Sequence, residues 1–439
     1  MDKVVMLLRQ LIRFDTTNPP GNELPLAQFL AGIFEKEGIS SHLFEPSPGR
    51  AQLVARLPGN GSKRPVILLA HMDVVGVERG NWSCDPFEGV IRDDHVYGRG
   101  AIDDKGMLAA NAVALLELKR RVVDTGKTLT RDVIFLATAD EEAGGTWGMG
   151  WLVANHPELL DAEFALNEGG RTRLIPGGGR YLAVQSAEKV SHVVTVTARG
   201  KAGHAAVPLP DNAIFALSRA LSKIAAHHEP LYLTPITRNF FANLARVWPE
   251  RAEAEAMGKL SVSDERAVES AAATLSRAPV FNAVLRAGIS PTMLSGGIRF
   301  NVIPASAGAA INVRTVPGQT IDDVVKRLRA VIDDPSIGVE ITERGDEAPP
   351  SDPDSGMFRA IAAAAVEIDP EIAVVPYLST GVTDSARLRK LGVQAYGILP
   401  FPMAQEDEER MHGHDERVPV ASLRFGARLI HEALVKIAT

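Results

Sequence analysis

The sequence predicts an α/β protein: a mostly parallel sheet with helices on both faces, interrupted by an α+β insert. Three observations carry this expectation. The runs "VILLA" (66–70), "VIFLA" (133–137) and "EFALN" (163–167) are apolar almost throughout, as strands buried on both faces of a parallel sheet must be. They alternate with helical patterns such as "MLAANAVALLELKRR", the grammar of βα units. Near residue 188 the texture changes, because "KVSHVVTVTARG" alternates apolar and polar residues like a half-exposed antiparallel strand.

Taken in order, "MDKVVMLLRQLIRFD" reads as an amphipathic helix cut by Arg9 and Arg13 rather than as a signal peptide, which makes a cytoplasmic setting the default. The α/β pattern then runs to about residue 186. The insert, expected over 187–318, holds the strand near 190, helical patterns at about 211–228 and 238–287, and a second alternating strand in "GAAINVRTV". The helix "TIDDVVKRLRAVID", the runs "EIAVVPYLST" and "VQAYGILP", and a closing helix at "VASLRFGARLIHEALVKIA" return the chain to the first unit over 319–439. The acidic "EDEER" at 406–410 reads as a solvated loop. With 439 residues and 45% hydrophobic content, two such units are expected, because single cores usually divide at this size.

Composition narrows the functional classes. The single cysteine, Cys84, allows neither an internal disulfide nor a thiolate zinc cluster, so any metal must be held by His and carboxylates. A formal charge of −7 without a long basic run argues against nucleic acid or an anionic membrane as partner. No apolar run approaches the roughly 20 residues of a membrane span.

In parallel sheets ligands gather outside the carboxyl ends of the strands. Here "VILLA" leads into His71 and Asp73, "VIFLATA" into Asp140, Glu141 and Glu142, and "EFALN" into Glu168. The loop "YGRGAIDDKG" adds Asp103 and Asp104 just before a helix. Taken singly, such residues are ordinary loop polars and helix caps. Their recurrence at one sheet edge is not ordinary, because clustered carboxylates repel unless protonated or compensated by a cation. Imidazole and carboxylate donors without thiolate suit zinc, with cobalt or manganese as alternatives.

The stretches "LLAHMDVV", "WSCDPFEGVIRDDHVYGRGAIDDKG", "TADEEAGG", "ALNEGG", "GKAGHAAVP", "GGIRFNVIP", "INVRTVPGQT" and "HGHDERV" occur in one order along the chain. In that order they resemble the zinc metallopeptidases that include aminoacylase, acetylornithine deacetylase, succinyl-diaminopimelate desuccinylase and glutamate carboxypeptidase. The tryptophan loop, "NEGG" and the long insert look most like the carboxypeptidase S and N-acyl amino acid hydrolase branch.

The resemblance implies two zinc ions bridged by Asp103, with His71 and Glu168 completing one site and Glu142 and His412 the other. His412, rather than His414, lies four residues before a Glu (Glu416), as the family pattern requires. Asp73 would orient the His71 ring, and Glu141 would be the general base. The insert would be a lid with a four-stranded antiparallel sheet and helices on one face, able to join two copies into a homodimer. From it His204 would reach the scissile carbonyl, often from the partner subunit, while Asn301, Arg314 and the backbone at Gly381 would hold the substrate. The activity implied is hydrolysis of an amide or peptide bond beside a free carboxylate, in an N-acyl amino acid or short peptide, by metal-activated water. A narrow dipeptidase or biosynthetic deacetylase is the rival reading, and a catalytically silent metal-dependent binding protein the remote one.

Overall fold

A computed structural model describes residues 2–439. Its main sheet has nine strands. From one edge the order is Ser40–Ser47, Arg50–Leu57, Val133–Thr138, Val66–His71, Phe164–Asn167, Gln394–Gly397, Arg180–Glu188 and Ile372–Ser379, with Arg171–Leu174 paired to Arg180–Glu188. The central four strands, Val133–Thr138 to Gln394–Gly397, are mutually parallel, and antiparallel pairing is confined to the flanks.

The continuous apolar runs are explained by burial on both faces. Val66, Leu68 and Ala70 enter one core with helices Lys3–Ile12, Leu24–Lys36, Lys105–Thr125, Gly356–Ile368 and Val420–Ala438. Ile67 and Leu69 enter a second core with Met149–Asn155 and Ser385–Lys390 on the opposite face. Side chains alternate across a strand, so both phases of the alternation must be apolar when both faces are covered.

The second unit is a four-stranded antiparallel sheet in the order Gly288–Gly296, Ser306–Thr315, Val190–Arg199, Ile337–Glu343. One face packs on helices Ala213–Ala225 and Ile321–Ile332, which accounts for the strict alternation of burial along Val190–Arg199. Two expectations are corrected here. The insert does not end at 318, because Ile321–Ile332 and Ile337–Glu343 supply a helix and the fourth strand of this sheet. The stretch 238–287 is four helices, Pro235–Leu244, Arg251–Lys259, Glu265–Leu275 and Pro279–Leu285, that pack against Tyr181, Ala183 and Val375 of the main sheet. They serve the first unit's core, although they lie within the second unit's stretch of sequence. No helix among the described residues is long and apolar enough to cross a membrane.

Candidate metal centre

Parallel strands aligned in register bring their carboxyl ends to one edge. His71 ends its strand opposite Thr138, two residues before Asp140, while Asn167, just before Glu168, pairs with Gly397. At that edge the Asp103 carboxylate lies between two imidazoles. Its Oδ1 is 2.9 Å from His71 Nε2 and its Oδ2 is 3.0 Å from His412 Nε2. His412 Nε2 is also 3.1 Å from Glu142 Oε1. Donor atoms of His71, Asp103 and Glu142 all lie within 4.8 Å of one another. The structure thus brings together His71, Asp103, Glu142 and His412, with His412 rather than His414 at the acids.

The clustered acids and imidazoles shift one another's protonation. Burial disfavours ionised Asp103, yet hydrogen bonds from His412 and His71 hold its pKa below the usual carboxylate range. Hydrogen bonds to Asp103 and Glu142 push His412 up to about 10. His71, though buried, is raised well above the ordinary histidine value by Asp103 and Asp73. Burial and then the Asp103 charge push Glu168 up to about 8. Glu141 is raised well above the ordinary value by burial and, against the pull of His71, by Glu168, Asp384 and Asp103. The acids draw positive charge onto both rings and still cannot all ionise. A divalent cation would balance these acids, and the donor set fits one: imidazole and carboxylate, with Cys84 elsewhere.

The supports of these groups depart in part from expectation. His71 Nδ1 lies 3.0 Å from the backbone carbonyl of Asp73 and 3.5 Å from its carboxylate, so the main chain is the nearer orienting partner. The Asp73 carboxylate mainly organises the neighbouring turn, accepting from the N–H groups of Glu141 (3.0 Å) and Glu142 (3.1 Å). Glu416 emerges as a structural acid that sequence reasoning used only as a marker. Fully buried, it accepts from Arg99 and from the N–H groups of Gly100, Ile102 and Asp103, fixing the loop that carries Asp103. The Asp103–Asp104 peptide is cis.

The acidic run is not simply a solvated loop. Glu406 and Glu409 are exposed, but Asp407 is buried and pairs with Arg417 at 2.6 Å. Glu408 is gripped by Arg171 at 2.7 Å and Arg173 at 2.6 Å. Those arginines come just after Glu168 in sequence, so this clasp ties the Glu168 segment to the segment leading into His412. Asp384, another acid that sequence reasoning passed over, is buried beside Thr138 Oγ1 at 3.1 Å and pushed up to about 6 by burial. Its position at the end of "STGVTD", after the strand Ile372–Ser379, was the available signal.

The remaining expected residues are not part of this bonded cluster. His204 is exposed on the strand Gly203–His204, paired with Val302–Ile303, and its Nδ1 accepts from the Ala206 N–H. Asn301 is exposed just before the paired strand Val302–Ile303, its carbonyl accepting from the Ala205 N–H. Arg314 is half-buried on Ser306–Thr315; its Nε donates to Asn312 Oδ1 at 3.0 Å, and its buried Nη1 has no partner among the described residues. Gly381 is exposed and donates its N–H to Ser379 Oγ.

Known proteins agree with this architecture. The chain is 28% identical over 384 residues to human "N-fatty-acyl-amino acid synthase/hydrolase PM20D1", covering 85% of this chain and 74% of that one. It is 27% identical over 443 residues to rat aminoacylase-1A, covering 99% and 95%. Its fold superposes on an M20 family metallo-carboxypeptidase, Sso-CP2 of Sulfolobus solfataricus, with a TM-score of 0.73 at 20% identity, over 100% of this chain and 99% of that one. The family described as "Peptidase family M20/M25/M40" matches residues 67–436. The protein is therefore a hydrolytic enzyme of aminoacylase or peptidase type, a member of peptidase family M20/M25/M40.

Proposed function

We propose that this hydrolase uses two metal ions, zinc or alternatively cobalt or manganese, to cleave an amide next to a free carboxylate, in an N-acyl amino acid or a short peptide. The observation that carries the reading is the Asp103 carboxylate set between His71 and His412, with further acids crowding the same strand ends. Asp103 would bridge the ions, His71 and Glu168 would complete one ion's shell, and Glu142 and His412 the other's. Bound there, such ions activate water near neutral pH and polarise a carbonyl. The protein's own groups do the rest. Glu141, adjacent to Glu142 but free of its bond to His412, takes a proton from water and returns it to the leaving amine. Asp73 fixes the backbone of both glutamates. His204 donates to the carbonyl oxygen as charge develops on it.

The unpartnered Nη1 of Arg314 supports the carboxylate requirement, since a buried guanidinium nitrogen gains most from a planar anion. Asn301 and the Gly381 backbone complete the hold on the substrate. The names of the relatives favour N-acyl amino acids over peptides. Amine release should be followed across N-acyl amino acids, dipeptides and their carboxyl-amidated analogues. Free-carboxylate N-acyl amino acids are expected to be cleaved best. Arg314→Ala should lower kcat/KM for them on the order of 10- to 100-fold, the value of a lost charge-assisted hydrogen bond. Amidated analogues should lose far less. An equal loss for both would assign Arg314 to structure alone, and preference for the amides would remove the carboxylate from the reading.

A homodimer through the second unit belongs to this reading. Ile298, Phe300, Met293 and Leu294 are exposed around Asn301 and on the edge strand Gly288–Gly296, a patch that a second copy would cover while bringing His204 to its neighbour's site. Sedimentation that finds only monomers under assay conditions would remove this part. A cytoplasmic setting belongs to this reading as well, to be checked by cell fractionation.

A further inference from the structure

The turn bearing Glu141 and Glu142 is held from a part of the chain remote from the metal site. Asp73 and Asp140 are both almost fully buried, and one amide nitrogen, Asn18 Nδ2, donates to Asp73 Oδ2 at 2.8 Å and Asp140 Oδ1 at 3.1 Å. Two carboxylates sharing one neutral donor repel each other strongly in such surroundings. The cation beside them is Arg50, which is 7% exposed. Its Nη2 reaches Asp140 Oδ1 at 3.0 Å, while Nε and Nη2 grip the fully buried Glu23, each at 2.8 Å. Nη1 donates to the Pro20 carbonyl. The N-terminal loop is shaped around this guanidinium: a Cβ at Gly21, where φ is +77°, would fall 2.3 Å from Arg50 Cζ.

Asp140 itself starts the turn. It adopts φ +66°, and its Oδ2 accepts from the Trp147 N–H at 2.9 Å, closing the loop 140–147. Asp73 accepts the next two N–H groups, those of Glu141 and Glu142. The turn is therefore pinned at two anionic posts, Asp73 and Asp140, which stay together because Asn18 donates to both and the Arg50 cation pairs with Asp140.

We infer that Arg50 is a positioning residue for the reaction, holding the Asp73–Asp140 pair together so that Glu141 and Glu142 face the metal site from a fixed turn. The inference rests on the proposed roles of those two glutamates. Arg50 bonds to Glu23, Pro20, Asn18 and Asp140 rather than to the cluster, so it acts through the turn and not on substrate. Without it the two posts separate, and the base and one ligand shift together.

The test pairs kinetics with a cobalt titration of metal-free protein read by visible absorption, using wild type, Arg50→Gln, Arg50→Lys and Arg50→Gln with Asp140→Asn. Arg50→Gln should lose on the order of 10- to 100-fold in kcat, with little change in KM, and bind cobalt more weakly with an altered spectrum. Arg50→Lys keeps the charge but not the fork and should fall between. Adding Asp140→Asn to Arg50→Gln should recover much of the loss, because asparagine tolerates the left-handed backbone and removes the repulsion from Asp73. A residue that merely anchored the Glu23 helix would show no such rescue.

Wild-type kcat and cobalt binding in Arg50→Gln overturn the inference, as does a loss that Asp140→Asn leaves in place. If Arg50→Gln does not fold, the same comparison is made on Arg50→Met, which also removes the charge, with and without Asp140→Asn, and the same outcomes decide. Failure of wild type to bind cobalt would instead refute the metal-site reading itself, before any variant is considered.

Discussion

Glu141→Gln is expected to retain its metals and its substrate affinity while losing on the order of 10²- to 10⁴-fold in kcat, the share a positioned general base contributes. The side chain keeps its shape. The backbone N–H of residue 141 still donates to Asp73, so the turn has no reason to move. The substitution removes a carboxylate in a buried, acid-rich pocket that pushes its pKa up, the direction that suits a base working near neutral pH. Its neighbour should behave differently. Glu142 lies 3.1 Å from His412 Nε2, among the donor atoms proposed to hold metal, so Glu142→Gln would replace an anionic ligand with a neutral one. That variant should bind one metal more weakly and regain activity as metal is added. The two readings of adjacent glutamates are exchanged if Glu141→Gln is the one rescued by metal, and the base assignment fails if it retains near wild-type kcat.

Asp103→Ala should have the larger effect on metal binding. The Asp103 carboxylate is in contact with both imidazoles, so its removal would deprive both proposed metal sites at once. The fold should survive, because Glu416 holds this loop through the N–H groups of Gly100, Ile102 and Asp103 and none of these bonds uses the Asp103 side chain. Thermal unfolding separates the two effects. A ligand that binds only the native state at 100 times its Kd stabilises by about 2.7 kcal/mol, so zinc should raise the Tm of wild type clearly and that of Asp103→Ala hardly at all. Activity in the variant should fall to the assay floor. An undiminished zinc-induced shift in Asp103→Ala would exclude Asp103 as the bridge.

Much of this arrangement can be read from the sequence because it depends on local pattern. Runs apolar in both phases fit strands covered on both faces, and the residues just past the ends of parallel strands share one sheet edge. That reasoning brings His71, Glu142 and Asp103 to one place, and the resemblance adds His412. The rest depends on tertiary contacts that periodicity does not encode. The amphipathic helices Pro235–Leu244 to Pro279–Leu285 display a buried face, but nothing in the pattern says that it meets Tyr181 and Val375 rather than the neighbouring antiparallel sheet. The strand Ile337–Glu343 alternates apolar and polar residues, but nothing in that local pattern names Val190–Arg199, roughly 140 residues away, as its partner. Arg50 reads as an ordinary charge at the start of a strand until the fold sets it against Glu23 and Asp140. Asp407 and Glu408 look solvated in a run of acids until Arg417, Arg171 and Arg173 close on them.

The central claim, that this hydrolase works through metal held between His71, Asp103 and His412, is tested most directly by titrating zinc into metal-free wild-type protein. Bound metal and amine release from an N-acyl amino acid are measured together. Metal-free protein should be inactive, and activity should rise to its plateau as about two ions bind per chain. Full hydrolysis by metal-free protein would contradict the account, as would a plateau reached while the site of His71, Asp103 and His412 binds no zinc.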